Sequence, residues 1–177
     1  MAPRRVTLRT SRLVLQPVAP KHAEGLHEAT VASRPELLPW MPWAKDPQLE
    51  RARFMTRDGE LRWRASSVFH FAVVEPGTGK VLGVVGLNPE GEGVAELHYW
   101  IRSDHAGRGL TTEAARAVVE WGRRVLRLER LTLWAGRGNA ASRRVAEKLG
   151  FKHVGPLDWE PDGGLGTFPA ESYELKL

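Results

Sequence analysis

Asp104-His105-Ala106-Gly107-Arg108-Gly109-Leu110-Thr111-Thr112-Glu113-Ala114 is the stretch on which the reading of this chain turns. Two glycines one residue apart stand between a β-rich run, Ala95 to Ile101, and a stretch of helical periodicity starting near Thr111. A loop stripped of side chains at the amino end of a helix exposes unpaired N–H groups, and the helix dipole adds partial positive charge. Such a loop holds phosphate. The dinucleotide pattern Gly-x-Gly-x-x-Gly fails because its third position is Thr112, and no Gly-Lys-Ser/Thr of a P-loop occurs. Taken alone, Gly107-Arg108-Gly109 reads more simply as a tight turn. Its neighbours decide the matter.

Upstream, the run Val94 to Ile101 is apolar except for Glu96 and His98. With a strand period of 2, Glu96, His98 and Trp100 share one face, and a bulge in the strand would change that arithmetic. A carboxylate on a buried strand holds its proton more tightly, which makes Glu96 the best general-base candidate. The competing reading pairs Glu96 with one of the many arginines. His98 reads as a second base, a substrate contact or a core histidine. Downstream, Leu131 to Ala135 is a strand, and Asn139 to Leu149 is a short helix stopped at Gly150. Asn139 is a good helix N-cap, and Ser142 lies one turn further on the same helix.

The joint pattern resembles the GNAT superfamily of N-acetyltransferases, and within it the RimJ/RimL branch. The likeness rests on Gly107-Arg108-Gly109-Leu110-Thr111-Thr112-Glu113-Ala114, on Asn139-Ala140-Ala141-Ser142 and on Glu147-Lys148-Leu149-Gly150-Phe151. The opening Leu8-Arg9-Thr10-Ser11-Arg12-Leu13 and the segment Leu38-Pro39-Trp40-Met41-Pro42-Trp43 belong to the same likeness, so it covers nearly the whole chain. Two positions depart from the branch: Ala106 stands for Gln or Arg, and Thr111 for Ala or Gly.

The resemblance implies acetyl-CoA as cofactor, CoA as product, and a primary amine as acceptor, with a protein N-terminal amine as first expectation. A small amine, or a module that binds CoA without turnover, is the alternative. It further implies that the amides of Ala106, Gly107, Arg108, Gly109, Leu110, Thr111 and Thr112 hold the pyrophosphate, with Arg102 or Arg108 adding a charge-assisted contact. Asn139 is expected to meet the pantetheine arm, Ser142 to assist the departing thiolate, and a strand amide near Trp100 or Ile101 to polarise the thioester. Trp40 and Trp43 are expected to wall the acceptor side, with His98 as a further contact.

The elements read in the order βααβββαβαββ, one mixed α/β (α+β) domain over residues 1–177. The expected GNAT-like fold has a mostly antiparallel sheet of about seven strands and about four helices. Pro20 to Ala32 is the first helix. Asp46-Pro47 opens a second, with the proline in its first turn. Ala114, Ala115, Val118, Val119, Gly122, Val125 and Leu126 form the apolar side of the third. Asn88 to Gly93 reads as a turn.

Cysteine is absent, which excludes disulfides and thiolate metal sites. The six histidines show no ligand spacing, so no metal is expected. Gly-x-Ser-x-Gly is missing too, and with no cysteine there is no obvious nucleophile for an acyl-enzyme. No apolar run reaches the roughly 20 residues of a membrane helix, and the basic start reads as no signal peptide. A cytoplasmic protein is expected. The net charge of +5 reads as a solvated, arginine-rich surface, and no basic block with interleaved aromatics marks a nucleic-acid site. A homodimer is left open.

Overall fold

The computed structural model describes residues 2–159 and 167–177. A single eight-stranded sheet runs through it in the order β1-β2-β3-β4-β5-β6-β8-β7. The strands are β1 (Leu8–Arg9), β2 (Val14–Pro17), β3 (Phe69–Val74), β4 (Val81–Gly91), β5 (Val94–Ile101), β6 (Arg130–Gly136), β7 (Lys152–Trp159) and β8 (Phe168–Lys176). Helices α1 (Ala23–Ala32), α2 (Arg34–Leu37) and α3 (Leu49–Arg64) precede β3, α4 (Leu110–Trp121) joins β5 to β6, and α5 (Ala140–Leu149) joins β6 to β7. None of these helices is long and apolar enough to cross a membrane.

The strand runs are rich in Val, Phe and Leu, which suit a pleated, buried surface. Their alternation divides the core. On one face Phe69 and Phe71 meet Trp63 of α3 and Trp121 of α4, with Trp63 and Phe71 centroids 5.1 Å apart. On the other, Val14, Ala72, Val74 and Val81 pack with Leu26 of α1. Gly25 of α1 allows this approach, since a Cβ there would lie 2.7 Å from Val81 Cγ2. Losing a buried aromatic such as Trp63 costs about 3–5 kcal/mol.

Of the seven strand pairings in this sheet one is parallel, β5 with β6, and this pair positions the site. It joins only Val94, Ala95 and Glu96 to Arg130, Leu131 and Thr132. Beyond it, β5 stays with β4 as far as Ile101, and β6 stays with β8 as far as Gly136. The two strands therefore splay, leaving the edge of β5 from Leu97 to Ile101 without a partner across the gap. No register shift interrupts β5 between Ala95 and Ile101, so no bulge disturbs its alternation.

Several local expectations need correction. The extra strand is β1, too short for a periodic signal. The extra helix is α2, where Pro35 falls in the first turn and is tolerated because its missing N–H has no helical partner anyway. Pro47 precedes the α3 N-cap, Gln48, rather than entering the helix. β4 continues to Gly91, so the turn contracts to Glu92-Gly93. After Trp121 the chain makes one π-turn over Gly122–Leu126, which rotates Val125 to the surface, where it is exposed. Gly122 remains buried because a Cβ there would lie 2.7 Å from Leu87 Cδ1.

Candidate active site

The splay of β5 from β6 opens a cleft of about 660 Å³. Its walls include Glu96, His98, Trp100 and Ile101 of β5, Ala106, Gly107, Gly109, Thr111 and Thr112 of the glycine loop, and Asn139 and Ser142 at the start of α5. Trp40 closes one side and Trp134 of β6 another.

The glycine loop is shaped by backbone rather than by crowding. Gly107 and Gly109 have φ of +76° and +77°, the left-handed region that favours glycine. A Cβ on Gly107 would touch nothing within 4 Å, and one on Gly109 only Arg12 Nη2 at 3.7 Å, so both face open space. Gly109 is the α4 N-cap, and the first backbone bond into the helix runs from Glu113 N to Gly109 O. The amides of Leu110, Thr111 and Thr112 precede that bond and have no helical acceptor. A cluster of free donors at a helix start fits an anionic group.

A clamp outside the cleft fixes this loop. Glu113 accepts from Thr10 Oγ1 at 2.6 Å, Ser11 Oγ at 3.0 Å and Arg12 N at 3.0 Å, and it pairs with the Arg12 guanidinium at 2.6 Å. Arg12 also donates to the carbonyl of Arg108 at 2.9 Å. Burial opposes ionisation of Glu113, but these donors outweigh it and hold its pKa at about 2. The polar run Thr10-Ser11-Arg12 thus positions the loop.

Four expected cofactor residues bear on the cleft differently from the expectation. Arg102 is engaged with Asp104, at 2.8 and 3.0 Å, which draws its guanidinium out of the cleft. The Arg108 side chain is exposed and does not line the cleft. The Leu110 side chain is buried in the core, so only its amide is available. Arg102 N donates to Leu82 O at 2.7 Å, so by alternation the backbone groups of Trp100 and His98 also face β4. The strand amides turned toward the gap are those of Tyr99 and Ile101. Trp43 is not a wall residue; its ring backs Trp100, 5.8 Å between centroids.

Glu96, His98 and Trp100 alternate onto one face of β5, as expected from the period. Glu96 is half-buried and accepts from Asn88 Nδ2 at 3.2 Å. Burial raises its pKa above the usual carboxylate range, aided by nearby Glu90, while the Asn88 amide and the Trp134 indole restrain the rise. The His98 ring meets the His70 ring edge-on at 4.3 Å. Its Nε2 is buried without a hydrogen-bond partner among the described residues. Burial, then proximity to His70, holds His98 well below the usual imidazole range, so it is neutral at pH 7.

The other wall starts at Asn139, whose side chain caps α5 by accepting from Ser142 N at 3.0 Å. The cap uses the carboxamide oxygen, and Asn139 lines the cleft. Ser142 Oγ lies 3.2 Å from Tyr99 Oη, which also donates to Ser142 O at 3.1 Å. Burial pushes the Tyr99 phenol up to about 12. Tyr99 lines the cleft, at a position that face-by-face reading of β5 passes over. Its side chain alternates away from Glu96, yet the splay lets both faces of the strand border one cleft. Trp134, stacked on Trp159 at 3.9 Å, lines the cleft as well, and its sequence gives no sign of it because an aromatic on a strand reads as core.

A strap formed by residues 33–45 crosses the top of the gap. Ser33 Oγ accepts from Ser103 N at 2.9 Å, tying the strap to the start of the glycine loop. Trp43 rests on Trp100 of β5, and Trp40 lies against the far end of β6, where a Cβ on Gly136 would meet Trp40 Cε3 at 2.5 Å. Among the described residues no cluster of His, Asp or Glu is arranged to hold a metal ion.

A family model described as an acetyltransferase (GNAT) domain matches residues 12–152. The chain is 26% identical over 156 residues to [ribosomal protein uS5]-alanine N-acetyltransferase of Escherichia coli (strain K12), covering 85% of this chain and 80% of that protein. It is 28% identical over 164 residues to the uncharacterized N-acetyltransferase p20 of Bacillus licheniformis, covering 89% of each. The solved structure of RimL, a ribosomal L7/L12 alpha-N-protein acetyltransferase in complex with coenzyme A, superposes with a TM-score of 0.85 at 18% identity, covering 97% of this chain and 98% of that one. With a splayed parallel pair, a glycine loop opening a helix and a family match over most of its length, this chain belongs to the GNAT family of acetyl-CoA-dependent N-acetyltransferases.

Proposed function

We propose that the cleft moves the acetyl group of acetyl-CoA to a primary amine by direct transfer in a ternary complex, with a protein N-terminal amine as the acceptor. One observation supports this most: free helix-start amides, an unpaired strand edge and a carboxylate of raised pKa all border one cleft. The pyrophosphate lies on the amides of Gly107 to Thr112, with Ala106 beside it. Backbone donors suffice there, which is why Ala106 and Thr111 are tolerated in place of the usual residues. Asn139 Nδ2 donates to the pantetheine arm. The nucleotide half reaches a neighbouring hollow of about 700 Å³, where Arg116 and Lys148 supply positive charge beside the Arg12–Glu113 pair and Glu120.

The chemistry follows from the two faces of β5. The amide of Tyr99 or Ile101 polarises the thioester carbonyl as charge develops on its oxygen. Glu96 takes the proton of the attacking amine, directly or through one water. The nitrogen lone pair forms the new C–N bond, and the C–S bond breaks. The departing sulfur takes a proton from Ser142, which regains one from Tyr99; the phenolate is then reprotonated from water, and Glu96 releases the amine's proton to solvent, which closes the cycle. A phenol of pKa about 12 stays protonated at neutral pH and so remains a donor. Trp40, Trp134 and His98 border the acceptor side. The names of the curated relatives, which include an enzyme acting on ribosomal protein uS5, favour a protein N-terminus over a small amine.

Thiol release from acetyl-CoA tests this, with N-terminal peptides of ribosomal proteins set beside amino acids, polyamines and aminoglycosides. The expected result is thiol release with peptides well above that with small amines. Faster release with a small amine would reassign the acceptor, and tight acetyl-CoA binding without release across the whole panel would overturn the catalytic reading.

A further inference from the structure

We propose that His70 and Asn88 are positioning residues that hold Glu96 in its base-competent form through a hydrogen-bond relay across three adjacent strands. The proposal rests on the reading of Glu96 as the base. His70 on β3, Asn88 on β4 and Glu96 on β5 lie side by side. Asn88 is the cross-strand partner of Glu96, and His70 pairs with Gly86, two residues before Asn88. His70 Nε2 lies 3.1 Å from Asn88 Oδ1, and Asn88 Nδ2 lies 3.2 Å from Glu96 Oε2. Gly86 makes the row feasible. A Cβ there would lie 2.7 Å from His70 Cδ2 and 2.8 Å from His98 Nε2, so only a bare backbone admits both rings.

The relay has a direction. A carboxamide oxygen only accepts and its NH₂ only donates. With Oδ1 turned to His70, the imidazole carries its hydrogen on Nε2, and the Asn88 NH₂ is committed to Glu96. An ionised carboxylate accepts from it, so this orientation favours the charged, proton-accepting form. His70 stays neutral above about pH 4 because burial outweighs the Asn88 bond, so the donor does not change through the working range. Without His70 the carboxamide is free to rotate and the donor to Glu96 is no longer fixed.

Other charged and polar groups bear on the same titration. Glu90 at the end of β4 raises the Glu96 pKa, and the Trp134 indole on β6 lowers it. Thr132 on β6 is committed to Glu90 at 2.8 Å. On β5 itself the neighbour is neutral His98. Around His70 the charged groups are Arg62 and Asp58 of α3, which oppose each other.

The test is the acidic limb of the kcat/KM profile, measured for the intact protein with acetyl-CoA and an accepted peptide. His70→Phe and Asn88→Ala are expected to move that limb upward by about 0.7 pH unit, the equivalent of one hydrogen bond. His70→Gln, which keeps an N–H donor, is expected to restore it. Asn88 is half-buried near the hairpin end, so its variant guards against a folding failure of the His70 variant. NMR titration of the Glu96 carboxyl carbon in the unliganded protein reads the same shift without activity. Unmoved limbs and an unmoved Glu96 titration in both variants would overturn the relay. A Glu96→Gln variant with undiminished kcat would overturn the base reading itself, while the NMR titration would still decide whether the relay exists.

Discussion

Ser142 and Tyr99 show what a single residue's setting contributes. Sequence reasoning reaches Ser142 through its spacing from Asn139, and it misses Tyr99 because strand alternation sends that side chain away from Glu96. The splay of β5, a long-range property, makes both faces of the strand relevant. Arg102 fails for a local reason: Asp104, two residues on, takes its guanidinium first. If the hydroxyl pair acts as one proton source, Ser142→Ala and Tyr99→Phe each lower kcat about 10–100-fold, and the double variant is little worse than the worse single one. Steady-state kinetics of all three variants check this, and fully multiplicative losses would separate the two hydroxyls.

Among the elements, the long periodic ones were legible and those fixed by packing were not. The glycine loop, α4, α5 and the β5–β6 crossover follow from glycine placement, caps and apolar periodicity. The proline-broken stretch from Pro35 to Trp43 offers no period. Its course across the gap is set by Trp43 on Trp100 and Trp40 on Gly136, contacts distant in sequence. Gly136 has no left-handed φ, so alanine there is conformationally acceptable and acts only by pushing Trp40 aside. Gly136→Ala is therefore expected to raise the acceptor KM several-fold. In a Trp40→Ala background the same change has little further effect. KM values across the four-variant cycle read this, and additive effects would show that Trp40 is not the element displaced.

At the scale of the whole molecule, buried imidazoles set the response to acid. Burial, chiefly, lowers His22 and His70 from 6.5 to about 4, and His98 lies well below 6.5. The unfolded chain therefore binds protons at a higher pH than the folded one, and stability falls as pH drops from about 6.5 toward 4. Glu113, held at about 2 against an ordinary 4.5, adds a second loss below pH 4.5 as its clamp is protonated. Urea midpoints are expected to fall in these two windows, and a midpoint constant from pH 7 to 5 would contradict the first. The general architecture, a mixed sheet with a helix crossing between two parallel strands, was readable from element order, whereas the cleft was not. It exists because β5 and β6 pair over only three residues each before choosing different partners. No local pattern encodes that divergence.

The central claim is that the glycine loop at this divergence holds acetyl-CoA. Calorimetric titration of acetyl-CoA into the wild-type protein and into Gly109→Val, with circular dichroism confirming that both are folded, tests it most directly. A valine at φ +77° is strained and places a side chain where backbone must meet phosphate. The prediction is one-to-one binding by the wild type and at least a tenfold weaker affinity in the variant. Equal affinity in the two folded proteins would contradict the account.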